Sequence, residues 1–268
     1  MRIASLGTLI GPVIAYGGAL GNFSALGALI REISRAAIPP ERVISTGNIA
    51  GTCAHPAECV AATRAYRHQV VAGNIERQLA SGAGEPGWGY PPGSLAVRRA
   101  LAGWRLADRR IDAGARDWME GLPDLLLFAH AGRRWAVVHG GATRVSRFLW
   151  PVSPEVEFEA EINAIEAAAG PVDGVIAGHC GIAFERVVNG VHWLNPGNIG
   201  LPPNDGRRGG RYARLDEDGA RLLRLEYDPS AAFAAMVSTG LSQGYDLALM
   251  TGRWPSEEML PPEMRTPV

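Results

Sequence analysis

The chain has 268 residues, with 26 Lys and Arg against 27 Asp and Glu. That length can bury one large core, and a formal net charge of -1 provides no field to attract nucleic acid or an anionic membrane. Cys53, Cys59 and Cys180 are odd in number and form no CxxC pair, which argues against a disulfide framework or a structural zinc site and fits a reducing compartment.

Residues 1–19 are apolar, but Gly7, Gly11 and Pro12 break the run, and it passes into a helical pattern without a cleavage site. No other stretch reaches the roughly 18 apolar residues needed to span a bilayer. A soluble, cytoplasmic protein is expected. Residues 12–16 read as a buried strand, and 22–37 as a helix with Leu26, Leu29, Ile30 and Ile33 on one face. A strand at 42–46, a helix at 56–66 and a strand at 69–72 complete a βαβαβ unit, which favours a parallel sheet with helices on its faces.

Residues 81–94 are rich in Gly and Pro and read as a lid-like loop. Helical segments follow through Trp118, then a hairpin turning at Ala131-Gly132, a helix at 155–169 and a strand at 174–177. Asn189-Gly190 hinges a second hairpin. Strands at 212–215 and 221–227 close the pattern, residues 229–249 read as helical, and the Pro-rich tail from about 251 reads as peripheral. No repeat or linker divides the chain, so one domain over residues 1–268 is expected.

Ligands of open α/β sheets gather at the carboxyl ends of the strands. Asn22, Asn48, Asn74, His139 and His179 occupy such positions, in Gly21-Asn22, Gly47-Asn48, Gly73-Asn74, Val138-His139-Gly140 and Gly178-His179-Cys180. Taken singly, Gly-Asn at a strand end is a turn or a helix cap, and a strand-end His is a core residue. Their order sets them apart. No G-x-G-x-x-G, G-x-S-x-G or P-loop is present.

In that order the chain resembles the calcineurin-like metallophosphoesterases, whose two-metal site is built from D-x-H, G-D, G-N-H-[DE], an isolated His and G-H-x-H. Asn195-Pro196-Gly197-Asn198-Ile199-Gly200 resembles the N-P-G-S stretch of that family, and Thr251-Gly252-Arg253-Trp254-Pro255 the tail of one bacterial subgroup. The resemblance implies an α/β fold, a four-layer αββα sandwich of two mixed sheets flanked by helices. It also implies metal-dependent hydrolysis of phosphate esters.

The departures fall on the ligands. Gly18-Ala19-Leu20 stands where D-x-H belongs, Asn48 where the bridging Asp belongs, Ile75 at the His of G-N-H and Gly181 at the last His. One metal position is therefore lost. The other retains Asn48, Asn74, His139 and His179, a set without formal charge, for one divalent transition metal (Mn, Fe, Ni or Zn) held weakly or not at all. The resemblance implies that His139 and His179 hold the ion, that Asn74 orients it or the phosphate, and that catalysis is weak or lost. A non-catalytic phospho-ligand-binding or regulatory pseudoenzyme is the alternative. The expected partner is a small phosphorylated molecule, and a homo-oligomer is compatible with the sequence. Asn22 and Arg144 are candidate phosphate contacts, with Arg147 beside them. Trp88 and Tyr90 are read as stacking on a ligand or packing the lid, and His55, His68, His130 and His192 as structural.

Overall fold

Short β-branched runs alternate with amphipathic helices through the first third of the chain, and each short run pairs into a sheet whose faces the helices cover. The structure is a computed structural model that describes residues 1–90 and 93–267. In chain order the elements are β1 (Ile3–Thr8), β2 (Val13–Tyr16), α1 (Phe23–Arg35), β3 (Val43–Ser45), α2 (Pro56–Ala65), β4 (Gln69–Val70), α3 (Asn74–Ser81), α4 (Leu95–Arg110) and α5 (Ala113–Gly121). There follow β5 (Leu125–His130), β6 (Arg133–Val138), α6 (Glu155–Ala169), β7 (Gly174–Ala177), β8 (Ala183–Val188) and β9 (Val191–Pro196). The chain continues through β10 (Gly210–Asp216), β11 (Gly219–Leu225), α7 (Ser230–Ser238) and α8 (Tyr245–Thr251).

Two mixed sheets result. One has the order β11-β10-β2-β3-β4, with β2, β3 and β4 parallel and β10 antiparallel to β2. The other has the order β1-β5-β6-β7-β9-β8, parallel from β6 through β7 to β9 and antiparallel at β5–β6 and β8–β9. The period of two along each strand separates the faces. Val13, Ala15 and Ile44 pack inward against Val137, Ile176 and Leu194 of the other sheet. Ile14, Tyr16 and Val43 face outward onto Leu26, Leu29 and Ile33 of α1. On the far side, Ala136, Val138 and Val175 meet Phe158, Ile162 and Ile165 of α6. Helix, sheet, sheet, helix is the four-layer α/β arrangement that the sequence implies.

Several elements differ from expectation. A strand, β1, precedes the first one expected; it lies on the sheet edge beside β5, with only Ala4 and Leu6 turned to the core. Residues 229–249 form two helices rather than one, because Gly240 and Gly244 adopt positive φ between them. The tail is not peripheral. Leu260 is buried, the Trp254 backbone N–H donates to Asn204 Oδ1 (2.7 Å) and its indole N–H to the Pro202 carbonyl (2.7 Å). Within the expected lid, residues 91 and 92 lie outside the described set; Trp88 is buried, and its ring stacks on Tyr90. Among the described residues no helix is long and apolar enough to cross a membrane.

Candidate functional site

The loops after β3, β4, β6 and β7 meet at one end of the sandwich, and each needs glycine to do so. A Cβ on Gly73 would lie 2.3 Å from Asn48 Oδ1, and one on Gly178 2.2 Å from Thr46 Oγ1. Asn48 (φ 57°) and His179 (φ 67°) take left-handed backbone, which Asn and His tolerate better than most side chains and which turns each loop sharply after its strand.

Three buried side chains pin these loops. Glu76, wholly buried on α3, accepts from the backbone N–H of Asn48 (2.7 Å), Ile49 (2.8 Å) and Gly73 (2.9 Å). Burial raises its pKa, and those N–H groups oppose the rise. Glu161 on α6 accepts from the N–H of Ala142 (2.7 Å) and Thr143 (2.9 Å), fixing the loop after His139. Asn195 on β9 donates to the Gly178 carbonyl (2.9 Å) and to Cys180 Sγ (3.2 Å), fixing the loop around His179. None of the three was assigned a role from sequence. The available signals are Glu161 on the buried face of α6 with Phe158, Ile162 and Ile165, and the positions of Glu76 and Asn195 inside the quoted motifs.

These pins bring Asn74, His139 and His179 together. His139 Nδ1 faces the Thr46 carbonyl, an acceptor only, so Nδ1 carries the hydrogen and Nε2 a lone pair. His179 Nε2 faces the Trp88 carbonyl (3.1 Å), which leaves the lone pair on Nδ1. Asn74 donates through Nδ2 to the Pro86 carbonyl (2.8 Å), turning Oδ1 inward. His139 Nε2 then lies 3.0 Å from His179 Nδ1 and 3.0 Å from Asn74 Oδ1. Burial lowers His139 to about 4, and burial with the neighbouring His139 and Arg144 holds His179 well below its ordinary value, so both rings are neutral at neutral pH. Three lone pairs therefore converge with no proton between them.

Asn48 is not a fourth donor. Its Oδ1 accepts from the Ile75 N–H (3.2 Å), and its Nδ2 donates to Asn74 Oδ1 (3.1 Å). A flipped amide would set NH₂ against N–H, so the orientation is fixed, and Asn48 acts by holding Asn74. Asn22 is also committed elsewhere. Its Oδ1 caps α1 at Ala25 N–H (3.1 Å) and its Nδ2 donates to the Gly200 carbonyl (2.9 Å) and the Tyr227 hydroxyl (2.8 Å), leaving no polar atom for phosphate. Arg144 is exposed and does not line the cavity, while Arg147 pairs with Glu157 (2.9 Å). Ile75 is fully buried in the core beneath the site.

The cavity over the lone pairs measures about 70 Å³, room for several water-sized groups and so for a small ligand. Its lining includes Asn48, His139 and His179 and the rings of Trp88, Tyr90, Phe148, Trp150, Tyr245 and Trp254; no Lys, Arg, Asp or Glu contributes among the described residues. Cys180 also lines it, but burial pushes its thiol up to about 12, so it supplies no thiolate.

A pair of metal ions does not fit these residues. Two-ion hydrolysis needs ions roughly 4 Å apart. Where the first would sit, a Cβ on Gly18 would meet Leu20 Cδ2 at 2.9 Å, and one on Gly181 would meet Asn198 Nδ2 at 2.7 Å with Trp254 close behind. Leu20, Asn198 and Trp254 line that end of the cavity, and none of them is an acid or an imidazole. No group of three His, Cys, Asp or Glu among the described residues is arranged to hold a metal. A single ion is a different case, because His139 Nε2 lies 3.0 Å from both His179 Nδ1 and Asn74 Oδ1, the spacing of ligands at right angles on bonds of about 2.1 Å.

A family model described as the calcineurin-like phosphoesterase superfamily domain matches residues 22–220. Among solved structures, a hypothetical protein from Pyrococcus horikoshii aligns with TM-score 0.73 at 19% identity, covering 90% of this chain and 98% of its own. A metallophosphoesterase from Sphaerobacter thermophilus aligns with TM-score 0.67 at 20% identity, covering 90% and 99%. No curated protein matches the sequence.

Proposed function

The chain belongs to the calcineurin-like phosphoesterase superfamily, and from that premise we propose that it binds a small phosphorylated molecule beside one divalent transition metal ion without two-ion hydrolysis. The observation that supports this reading is the donor set itself: His139, His179 and Asn74 converge, while Leu20, Asn198 and Trp254 line the same cavity without offering an acid or an imidazole. His139 Nε2, His179 Nδ1 and Asn74 Oδ1 are the atoms that would hold the remaining ion, whose chemistry there is that of a Lewis acid toward an oxyanion. Asn48 keeps Asn74 turned inward, and the Thr46 and Trp88 carbonyls keep the two imidazoles in the tautomers that expose lone pairs. Neither histidine is placed as a general acid, since both are neutral with their hydrogens committed to carbonyls, and Ile75 has no proton to give.

The test is turnover of p-nitrophenyl phosphate and bis(p-nitrophenyl) phosphate at high protein concentration with Mn, Ni, Zn or Fe. The expected rate equals that of the metal alone. A second reading, slow hydrolysis by one ion, is favoured by the convergence of the three lone pairs. Metal-dependent turnover that disappears in His179→Ala would establish it in place of the first.

A further inference from the structure

We infer that the protein has a second binding site, at the opposite end of the sandwich from His139, and that it takes a small neutral polyol through two adjacent hydroxyls. The site is a cavity of about 170 Å³ where the turn between β5 and β6 meets the turn between β10 and β11, with His130, Arg133, Trp135, Asp216, Asp218 and Ala220 in its lining. β6 begins at Arg133 beside this cavity and ends at Val138, next to His139, so the two sites lie at opposite ends of one strand. What binds beside His139 has no bearing on this one.

Two buried groups here lack partners. His130 and Trp135 are 2% and 3% exposed, and among the described residues neither His130 Nε2 nor Trp135 Nε1 has a hydrogen-bond partner. Both side chains rise from the same face of the sheet, because Phe128 stands opposite Trp135 in the β5–β6 ladder and alternate residues of a strand share a face. His130 Nδ1 lies 3.0 Å from the Leu9 carbonyl, so in the neutral ring Nδ1 carries the hydrogen and the lone pair on Nε2 points the other way. The benzo part of the Trp135 ring lies over Gly174, where an added Cβ would come within 2.5 Å of Cε3 and Cζ3, and the Nε1 edge is the part left to meet the cavity. Buried polar groups in folded proteins are normally paired, so an acceptor and a donor left side by side in a cavity ask for a ligand that supplies both complements.

Two hydroxyls on neighbouring carbons do so. One O–H donates to His130 Nε2, and the oxygen of the other accepts from the Trp135 indole N–H. An ammonium has no lone pair for the indole, and a carboxylate has no proton for the imidazole. The charges agree with a neutral ligand. The carboxylates at the mouth, Asp216, Glu217 and Asp218, are matched by Arg133, Arg214 and Arg221: Asp216 pairs with Arg214 (2.9 Å) and Arg221, and Arg221 also neighbours Asp218. No net field draws an ion, and the carboxylates remain as acceptors for further hydroxyls. Trp135 already stacks on Phe128 (ring centroids 6.4 Å apart), with the His192 ring against it at 5.5 Å, so the ligand meets the indole edge rather than a face. Leu215 and Ala220 supply an apolar wall for its C–H groups.

The experiment titrates the full chain with glycerol, propylene glycol and propanol while proton–nitrogen NMR follows the tryptophan indole N–H signals; the Trp135 signal is the one missing from Trp135→Phe. Glycerol and propylene glycol should move that signal along a saturable curve, and propanol, with one hydroxyl, should not. His130→Leu removes the acceptor and Ala220→Leu fills the cavity from its rim without touching either unpaired nitrogen; each should weaken glycerol binding at least about tenfold, the effect of losing one buried hydrogen bond or the space for the ligand. Should His130→Leu fail to fold, Ala220→Leu decides alone, its fold being checked by the unchanged signals of the other tryptophans. Equal, unsaturating shifts with all three alcohols would reveal a solvent effect and overturn the proposal. So would a Trp135 signal that answers to none of them, the mark of a cavity that holds water only, or glycerol binding that Ala220→Leu leaves unchanged.

Discussion

At Gly181 a left-handed backbone (φ 79°) and the amide of Asn198, 2.7 Å from any added Cβ, close a position that the family fills with histidine. Restoring ligands one at a time should therefore not restore the ion. In the double variant Asn48→Asp/Gly181→His, elemental analysis after saturation with Mn should find at most one ion per chain. The variant should also lose about 1–3 kcal/mol of stability in urea, because an L side chain is strained at that φ and Asn198 must move. Two ions per chain would show that the space is open. That His139 and His179 come together was legible from their places at the ends of neighbouring strands. The orientation of Asn48 was not. Whether an amide offers oxygen or NH₂ depends on the Ile75 N–H and Asn74 Oδ1 brought to it from another strand end, a long-range contact that local sequence does not encode.

The elements that carry the site are held by acids buried beneath it, and α6 gives the clearest case. Glu161 is 1% exposed and accepts from two backbone N–H groups of the loop that follows His139. Replacing it with Ala leaves those donors unpaired, which should cost about 2–4 kcal/mol in urea unfolding. Asn163→Gln, on the exposed face of the same helix, should change stability by less than about 0.5 kcal/mol. Equal effects of the two would remove the pinning role. The βαβαβ start, both hairpins and α6 itself were readable because hydrophobic period and turn chemistry are local signals. β1 was not, since Ile3–Thr8 is a largely exposed edge strand whose Ala4 and Leu6 merge into the neighbouring apolar run. The tail was misread for a similar reason. Its burial depends on Asn204, whose Oδ1 accepts the Trp254 N–H and whose Nδ2 donates to Glu257 (2.6 Å), while the segment around Asn204 has the composition of a turn.

Across the whole molecule, packing helices onto both sheets buries imidazoles that must stay neutral, and this couples folding to pH. His68 illustrates it away from the cavity. It is 8% exposed, its Nδ1 lies 2.8 Å from the Tyr16 hydroxyl beneath α2, and burial lowers it to about 4. In the unfolded chain the same ring titrates near 6.5. Between those values the unfolded state binds the proton and the folded state does not, so stability rises with pH through this window and falls on acidification. At pH 4.5 the loss relative to neutral pH should be about 2.5 kcal/mol from this residue. Urea unfolding of parent and His68→Gln at pH 7 and pH 4.5 isolates it. The variant pays a fixed cost for the lost fit to Tyr16 but should show a pH-dependent loss smaller by that amount. Identical pH dependence in the two proteins would mean that His68 accepts its proton in the folded state, and hence that the layer between α2 and the sheet admits water.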